Sequence, residues 1–294
     1  MVKQRARLIY NPSSGKEMMR QQLPEILDIF DSAGLETTCH MTKNSDDTVE
    51  AAKRAAEEAY DLVIAAGGDG TVNEVVNGLS PFEVRPLLGI LPAGTSNDLS
   101  RALGLPRDLK EAARRITDLQ YKPLDVGQVN DRFFINIAGC GRITEITYEV
   151  PSRMKTALGQ LAYYMKGLEK IPQLGAIHLE IEAASFGFSG KAMLCLICNS
   201  NRVGGFENIA PDANLADGLF DVMVVKQASI PDMIRLATQA LRGEHVHNER
   251  VLYFQTEWLK VTSKEKVELN LDGEYGGTLP KEFRVLKHHL QVVV

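Results

Sequence analysis

The segment Leu62 to Gly78, LVIAAGGDGTVNEVVNG, constrains the fold more than any other. Its uninterrupted apolar start reads as a strand buried on both faces, the kind found in parallel sheets covered by helices. A Gly-Gly-Asp-Gly turn follows, and the pattern then predicts a helix from Thr71 to Leu79. Glycines let backbone N–H groups approach an anion closely, and a helix N-terminus favours negative charge beside it. Asp69 is the informative residue in that turn. A carboxylate there repels phosphate unless it holds a cation or orients a reactant. The plainer alternative is a tight strand-to-helix turn in which Asp69 serves as an N-cap.

The flanking sequence repeats this alternation. Ala6 to Tyr10 reads as a strand, Met18 to Ala33 as a helix ended by Gly34, and Leu35 to Met41 as a strand. Asp46 to Tyr60 is an Ala-rich helix with Ser45 or Asp46 as its cap, and Leu87 to Leu91 is a further strand, with helices after Thr95 and Asp108. Strands alternating with helices predict a parallel sheet. Two more small-residue loops, Asn11 to Gly15 and Leu91 to Asp98, therefore fall on the same carboxyl edge, where open α/β sheets bind ligands. Together the three loops suit a triphosphate.

Better-known glycine loops do not account for this pattern. A Walker loop would need Ser or Thr after Gly15-Lys16, where Glu17 stands, and glycine in place of Tyr10. A dinucleotide fingerprint would need glycine at Asn73.

From Leu124 onward the sequence becomes rich in strands: Asp125 to Val129, Phe133 to Ala138, His178 to Ala183, Met193 to Asn199, Phe220 to Val225 and Trp258 to Thr262. Helical patterns at Arg153 to Glu169 and Pro231 to Leu241 interrupt them. A chain of 294 residues is long enough for two domains. The expected division is an α/β domain over 1–123, joined by the tail 282–294, and a β-rich, sandwich-like domain over 124–281. Cys195 and Cys198 form a CxxC inside an apolar strand and are expected as buried structural thiols. The histidines are expected in solvated or supporting roles. A net charge of −5 argues against nucleic acid as a partner. Apolar runs too short to span a bilayer, and the lack of a signal-like opening, suggest a cytoplasmic protein.

GGDGTVNEVVNGL and LPAGTSNDLSRALG closely resemble the catalytic domain of diacylglycerol kinases and the related sphingosine and ceramide kinases, most closely the soluble bacterial diacylglycerol kinases. The resemblance runs through NPSSG, LDVG (Leu124 to Gly127), APDANLADGLFDV (Ala210 to Val222) and LDGE (Leu271 to Glu274). It implies ATP-dependent phosphorylation of diacylglycerol to phosphatidic acid, with magnesium. Asn11, Pro12, Ser13, Ser14, Gly15, Thr42, Gly68, Asp69, Gly70, Thr71, Val72, Asn73, Glu74 and Thr95 would line the ATP site. Asp69 would face the magnesium–phosphate region and act in catalysis. Asp217 would bind a magnesium ion with backbone oxygens near Asn214 and Leu219, in a network through Asp125. Glu274 would be the general base. Ala216 stands where some relatives carry a second acid, which argues against two protein carboxylates side by side on one metal.

The chemistry makes sense on its own terms, because phosphoryl transfer needs charge neutralisation and alignment, and an alcohol acceptor needs a base. Asp272-Gly273-Glu274 suits a turn exposing a carboxylate, though it equally suits a plain hairpin turn. Asp217-Gly218 likewise has a turn reading. A peripheral enzyme on a membrane lipid must touch the bilayer transiently. The basic, aromatic stretch Arg153 to Lys170 could do so at the inner face, or could pack its apolar side into the second domain. A homodimer is left open. The rival activities are a kinase for another lipid or for NAD, and, from another class, a non-catalytic nucleotide sensor.

Overall fold

A computed structural model describes residues 4–141, 175–203 and 206–294. The stretch Arg153 to Lys170 lies outside the described residues. The chain divides into two units, a parallel-sheet α/β unit and a β-rich unit. The first takes residues up to Val126, Arg132–Ile135 and Leu286–Val294. The second takes Gly127–Asp131 and the described residues between Asn136 and Val285.

In the first unit β1 (Gln4–Tyr10), α1 (Met18–Ser32), β2 (Leu35–Met41), α2 (Ser45–Glu57), β3 (Leu62–Gly67), α3 (Asp69–Leu79) and β4 (Leu87–Pro92) alternate along the chain. The helices α4 (Asp98–Ala102) and α5 (Leu109–Thr117) follow. The strand order is β4-β3-β1-β2, all parallel, with Leu8 paired to both Cys39 and Ile64. Val292, near the end of the chain, adds a parallel pairing to Leu88.

Every residue of β3 is buried, as its apolar run requires. Leu8, Leu62 and Ile64 share a core with Met19, Ile26 and Phe30 of α1 and with Leu109, Ala113 and Ile116 of α5. Burying each large side chain of this kind contributes about 1.5–3 kcal/mol. Ile9, Val63 and Ala65, also fully buried, alternate to the other face. The helices α2 and α3 pack so closely that a Cβ at Gly78 would lie 2.5 Å from the Val49 carbonyl oxygen.

The caps differ in part from expectation. The side chain of Asn44, rather than Ser45 or Asp46, caps α2 by accepting from the Asp47 N–H at 2.9 Å. Asn44 has the extended backbone of an N-cap, whereas Ser45 and Asp46 already belong to the helix. Gly34, at φ 81°, does end the first helix. The third helix begins at Asp69, two residues earlier than its pattern indicates.

β5 (Tyr121–Val129) leaves the first unit at Gly127, and β6 (Arg132–Phe134) returns to it. The second unit holds β7 (Ile137–Cys140), β8 (Ile177–Ala183), β9 (Gly187–Cys198), β10 (Phe220–Lys226), α6 (Ile230–Ala240) and β11 (Val251–Thr256). β12 (Trp258–Ser263), β13 (Glu268–Leu271), β14 (Glu274–Thr278) and β15 (Lys281–Val293) complete it, the last entering the first unit at Leu286. Pairing within this unit is antiparallel, in the order β14-β13-β7-β9-β8-β12-β15, with β10 on β9 and β11 on β10.

The single strand expected over Phe133 to Ala138 is two strands. Asn77 of α3 occupies both backbone groups of Phe133, accepting from its N–H at 3.0 Å and donating to its carbonyl at 2.9 Å. The Asp272 carboxylate takes the N–H groups of Asn136 and Ile137 at 2.9 and 2.8 Å. Cys140, Cys195 and Cys198 are buried free thiols. No helix among the described residues is long and apolar enough to cross a membrane.

Candidate active site

The three expected loops meet at the carboxyl edge of the parallel sheet. Tight backbone packing joins them. Asn11 extends β1 by donating its N–H to the Ala66 carbonyl at 3.0 Å, and its side chain accepts from the Ser13 N–H and hydroxyl. Gly15, at φ 54°, faces the third loop so closely that a Cβ would sit 2.0 Å from the Ala93 carbonyl oxygen. Ala93 in turn donates to the Gly67 carbonyl at 2.9 Å, and a Cβ on Gly94 would lie 2.4 Å from Gly68 Cα. Asn97 secures the third loop, accepting from the Gly94 N–H and donating to the Pro92 and Gly94 carbonyls. Thr42 follows β2 on the same edge, its N–H bonded to the Tyr10 carbonyl.

Gly68 is the N-cap of α3 and has no side chain to offer, so the first-turn N–H groups lack a side-chain cap. The positive end of an 11-residue helix thus faces the loop edge. Gly68, Asp69, Gly70, Glu74 and Thr95 keep some exposure, as do Asn11 to Gly15. Thr71, Val72, Asn73 and Thr42 are buried. Asn73 instead accepts from the Asn77 amide at 2.9 Å.

Asp69 does not cap its own helix. Its Oδ1 accepts from the Asp98 N–H at 2.6 Å, and so serves the start of α4, whose own N-cap, Asn97, makes no side-chain cap bond. Burial, and after it the neighbouring Asp98 carboxylate, push the Asp69 carboxyl up to about 6. Backbone donors at 97–99 act in the opposite direction. Asp98 itself, 8% exposed, reads in the sequence as an ordinary helix-start acid.

Asp125 is fully buried in the first unit, and its Oδ1 accepts from the His288 N–H at 2.6 Å. His288 has φ 52°, so Asp125 holds a left-handed bend in β15.

In the second unit Asp272 and Gly273, at φ 49° and 96°, form the left-handed two-residue turn between β13 and β14. Asp272 ties that turn to Asn136 and Ile137, and the Asn270 side chain accepts the Gly273 N–H at 2.8 Å. Glu274 stands half-buried at the first position of β14. The segment Ile209 to Leu219 forms a turn-rich loop in which Asp217 Oδ1 accepts from the Leu219 N–H at 2.9 Å and Gly218 has φ 84°. Asn214 Oδ1 accepts from the Ala216 N–H at 3.0 Å. The carboxylate of Asp217 and backbone carbonyls beside it are hard oxygen donors, which fit magnesium. Among the described residues no group of three or more His, Cys, Asp or Glu side chains is arranged to hold a metal.

Beside this loop lies Asp221, fully buried on β10, which in the sequence reads as part of an apolar strand. Burial pushes its carboxyl up to about 6, helped by Asp217 and Asp212 and opposed by bonds from Tyr253 and Gln255. His245, expected in a solvated or supporting role, is buried, and its Nε2 donates to the Ile209 carbonyl at 2.9 Å.

Residues 5–129 match the diacylglycerol kinase catalytic domain, and residues 143–294 match the YegS C-terminal NAD kinase beta sandwich-like domain. Over 99% of its length the chain is 53% identical to the diacylglycerol kinase of Bacillus subtilis, covering 96% of that protein. It is 45% identical over 98% of its length to the diacylglycerol kinase of Staphylococcus haemolyticus, covering 87% of it. A crystal structure of a diacylglycerol kinase from Bacillus anthracis superposes with a TM-score of 0.82 at 29% identity, covering 100% of this chain and 98% of that one. A glycine-loop edge on a parallel sheet, a β-rich second unit and full-length relatives of one kind place this chain in the diacylglycerol kinase catalytic-domain family.

Proposed function

We propose that the chain transfers the terminal phosphoryl group of ATP to the free hydroxyl of diacylglycerol, giving phosphatidic acid and ADP. The observation that carries this reading is the convergence of three small-residue loops on one sheet edge beside the open N-terminus of α3. In a chain of this family, such an edge suits a nucleotide triphosphate. Asn11 to Gly15, Thr42, Gly68 to Glu74 and Thr95 supply that site. The buried members contribute packing and backbone groups, and the exposed ones direct contacts. Asp217, with the Asn214 and Leu219 carbonyls, would hold Mg2+. When bound, the ion offsets the charge on the transferring phosphate. Glu274 takes the proton of the acceptor hydroxyl as its oxygen bonds to phosphorus and the bond to ADP breaks. Asp69 holds the second and third loops together beside the phosphates. The lipid acceptor implies transient contact with a membrane surface, from the cytoplasmic side.

The test is phosphate transfer from radiolabelled ATP onto a panel of acceptors in mixed micelles. Label is expected in phosphatidic acid. Transfer to NAD without micelles and none to diacylglycerol would replace this reading with an NAD kinase. Nucleotide binding with no lipid-dependent turnover would replace it with a sensor.

Gly70 offers a separate test of the nucleotide edge. A Cβ there meets no protein atom within 4 Å, and its φ is not left-handed, so the fold alone does not require glycine. Gly70→Val is therefore expected to keep its melting temperature within a few degrees while ATP affinity, measured by calorimetry, falls roughly tenfold or more, about 1.4 kcal/mol. Unchanged affinity would mean that the phosphates approach elsewhere.

A further inference from the structure

The loop that carries Asp217 is fastened from behind by side chains of the second unit. At its entry, buried His245 donates to the Ile209 carbonyl at 2.9 Å. Three residues on, the Asp212 N–H donates to the Tyr253 hydroxyl at 3.3 Å. That hydroxyl donates in turn to Asp221 Oδ1 at 2.5 Å, and Gln255 donates to the same oxygen at 3.2 Å. Met223 of β10 pairs with Tyr253 of β11, so Asp221 lies two positions along from that pair, on the same face of the sheet. Tyr253 and Ala213 of the loop both pack against the core cluster that includes Ile209 and Ala210.

A tyrosine hydroxyl can donate one hydrogen bond while accepting another, and this one does both. A buried carboxylate fixes the hydroxyl, and the hydroxyl fixes a backbone amide. Asp221 is fully buried, so the hydroxyl is pinned by a group that has no solvent to turn to. Its anchor point, Asp212, is five positions before Asp217 in the loop. Asn214 and Asp217 brace the loop over short range, and Gly218 turns it through a left-handed conformation, so the Tyr253 contact adds a tether from outside the loop.

We propose that Tyr253 is a positioning residue for Asp217: through Asp221 on one side and the Asp212 amide on the other, its hydroxyl pre-sets the loop in the form that receives Mg2+. This rests on the reading of Asp217 as the metal-binding carboxylate. Outer groups that orient a metal site typically account for roughly ten- to a hundredfold in metal affinity.

The experiment compares wild type, Tyr253→Phe and Asp217→Ala with Mg2+ alone as the probe. It reads the Mg2+-induced rise in melting temperature and, separately, the Mg2+ dependence of phosphate transfer. Tyr253→Phe keeps the ring in the core and is expected to need roughly tenfold more Mg2+ for half of the melting shift and for half-maximal transfer. Its turnover at saturating Mg2+ should stay within about twofold of wild type. A tyrosine with only a structural role would lower the metal-free melting temperature and leave both Mg2+ midpoints unmoved, which would overturn the proposal. If Asp217→Ala keeps the wild-type Mg2+ response, the metal reading itself fails and the proposal with it. Should Tyr253→Phe not fold, hydrogen exchange in the unaltered protein decides the matter. Mg2+ should slow exchange of the Asp212 amide, and an unchanged rate there would overturn the tether.

Discussion

Glu274→Gln is expected to lower turnover by about a hundredfold or more, while ATP affinity and thermal stability stay close to wild type. Glutamine keeps the size of the side chain and most of its hydrogen-bonding capacity, but it cannot take a proton. The structure makes the comparison clean, because the turn before Glu274 is fastened by its neighbours. Asp272 holds the N–H groups of Asn136 and Ile137, and Asn270 holds that of Gly273. Asp272 and Gly273 also supply the left-handed backbone that the two-residue turn requires. The plain-turn reading of Asp272-Gly273-Glu274 is satisfied in its backbone by the first two residues. The loss should be the same for every alcohol acceptor, since the proton must leave in each case. Near wild-type turnover in Glu274→Gln would remove the residue from the mechanism and leave the proton to solvent or to Asp69.

What could be read in the chain divides along the range of the contacts. The first unit declares itself locally. An apolar run such as Leu62 to Ala66 has one stable place, in a sheet covered on both faces, and the glycines at 68 and 94 mark loops that must press together. The second unit is harder. The first half of β9, GFSGK, alternates glycine with polar and aromatic residues and is largely exposed, so it carries little apolar signal. β13, β14 and most of β15 are short or dotted with charges, and their pairing depends on partners far along the chain.

The residues passed over at the site share that long range. Asp98 meets Asp69 across 29 positions, Asn77 meets Phe133 across 56, and Tyr253 meets Asp221 across 32. Each looks like an ordinary polar residue in its own window, because the partner that gives it a task is set by topology. One signal was present: Asn73 and Asn77 lie one helical turn apart in NEVVN, and paired amides on a mostly buried helix need partners.

Asp69→Asn should abolish transfer and at the same time make the protein more stable at neutral and alkaline pH. The carboxyl of Asp69 is pushed from 3.8 up to about 6, first by burial and then by Asp98. Between these two values the folded state holds the proton and the unfolded chain does not. Stability therefore falls as pH rises from about 4 to about 6, and the loss persists above that. A displacement of this size corresponds to about 3 kcal/mol at most, and residual solvent screening reduces it. Asparagine keeps an oxygen that can accept the Asp98 N–H, so the join between the two loops survives, and it carries no charge to bury beside Asp98. The variant, free of nucleotide and metal, should gain about 1–3 kcal/mol at pH 8, or several degrees in melting temperature, and lose much of its slope between pH 4 and 6. If Asp69 only fastened the loops, asparagine would serve as well and turnover would hardly change. If it faces the phosphates as an anion, turnover should fall by about a hundredfold or more. A stabilised but inactive variant would show that the buried charge is retained for chemistry at the expense of the fold. A variant that is less stable at pH 8 would instead mean that the ionised carboxylate holds α4 better than an amide can, and would overturn the sign argued here.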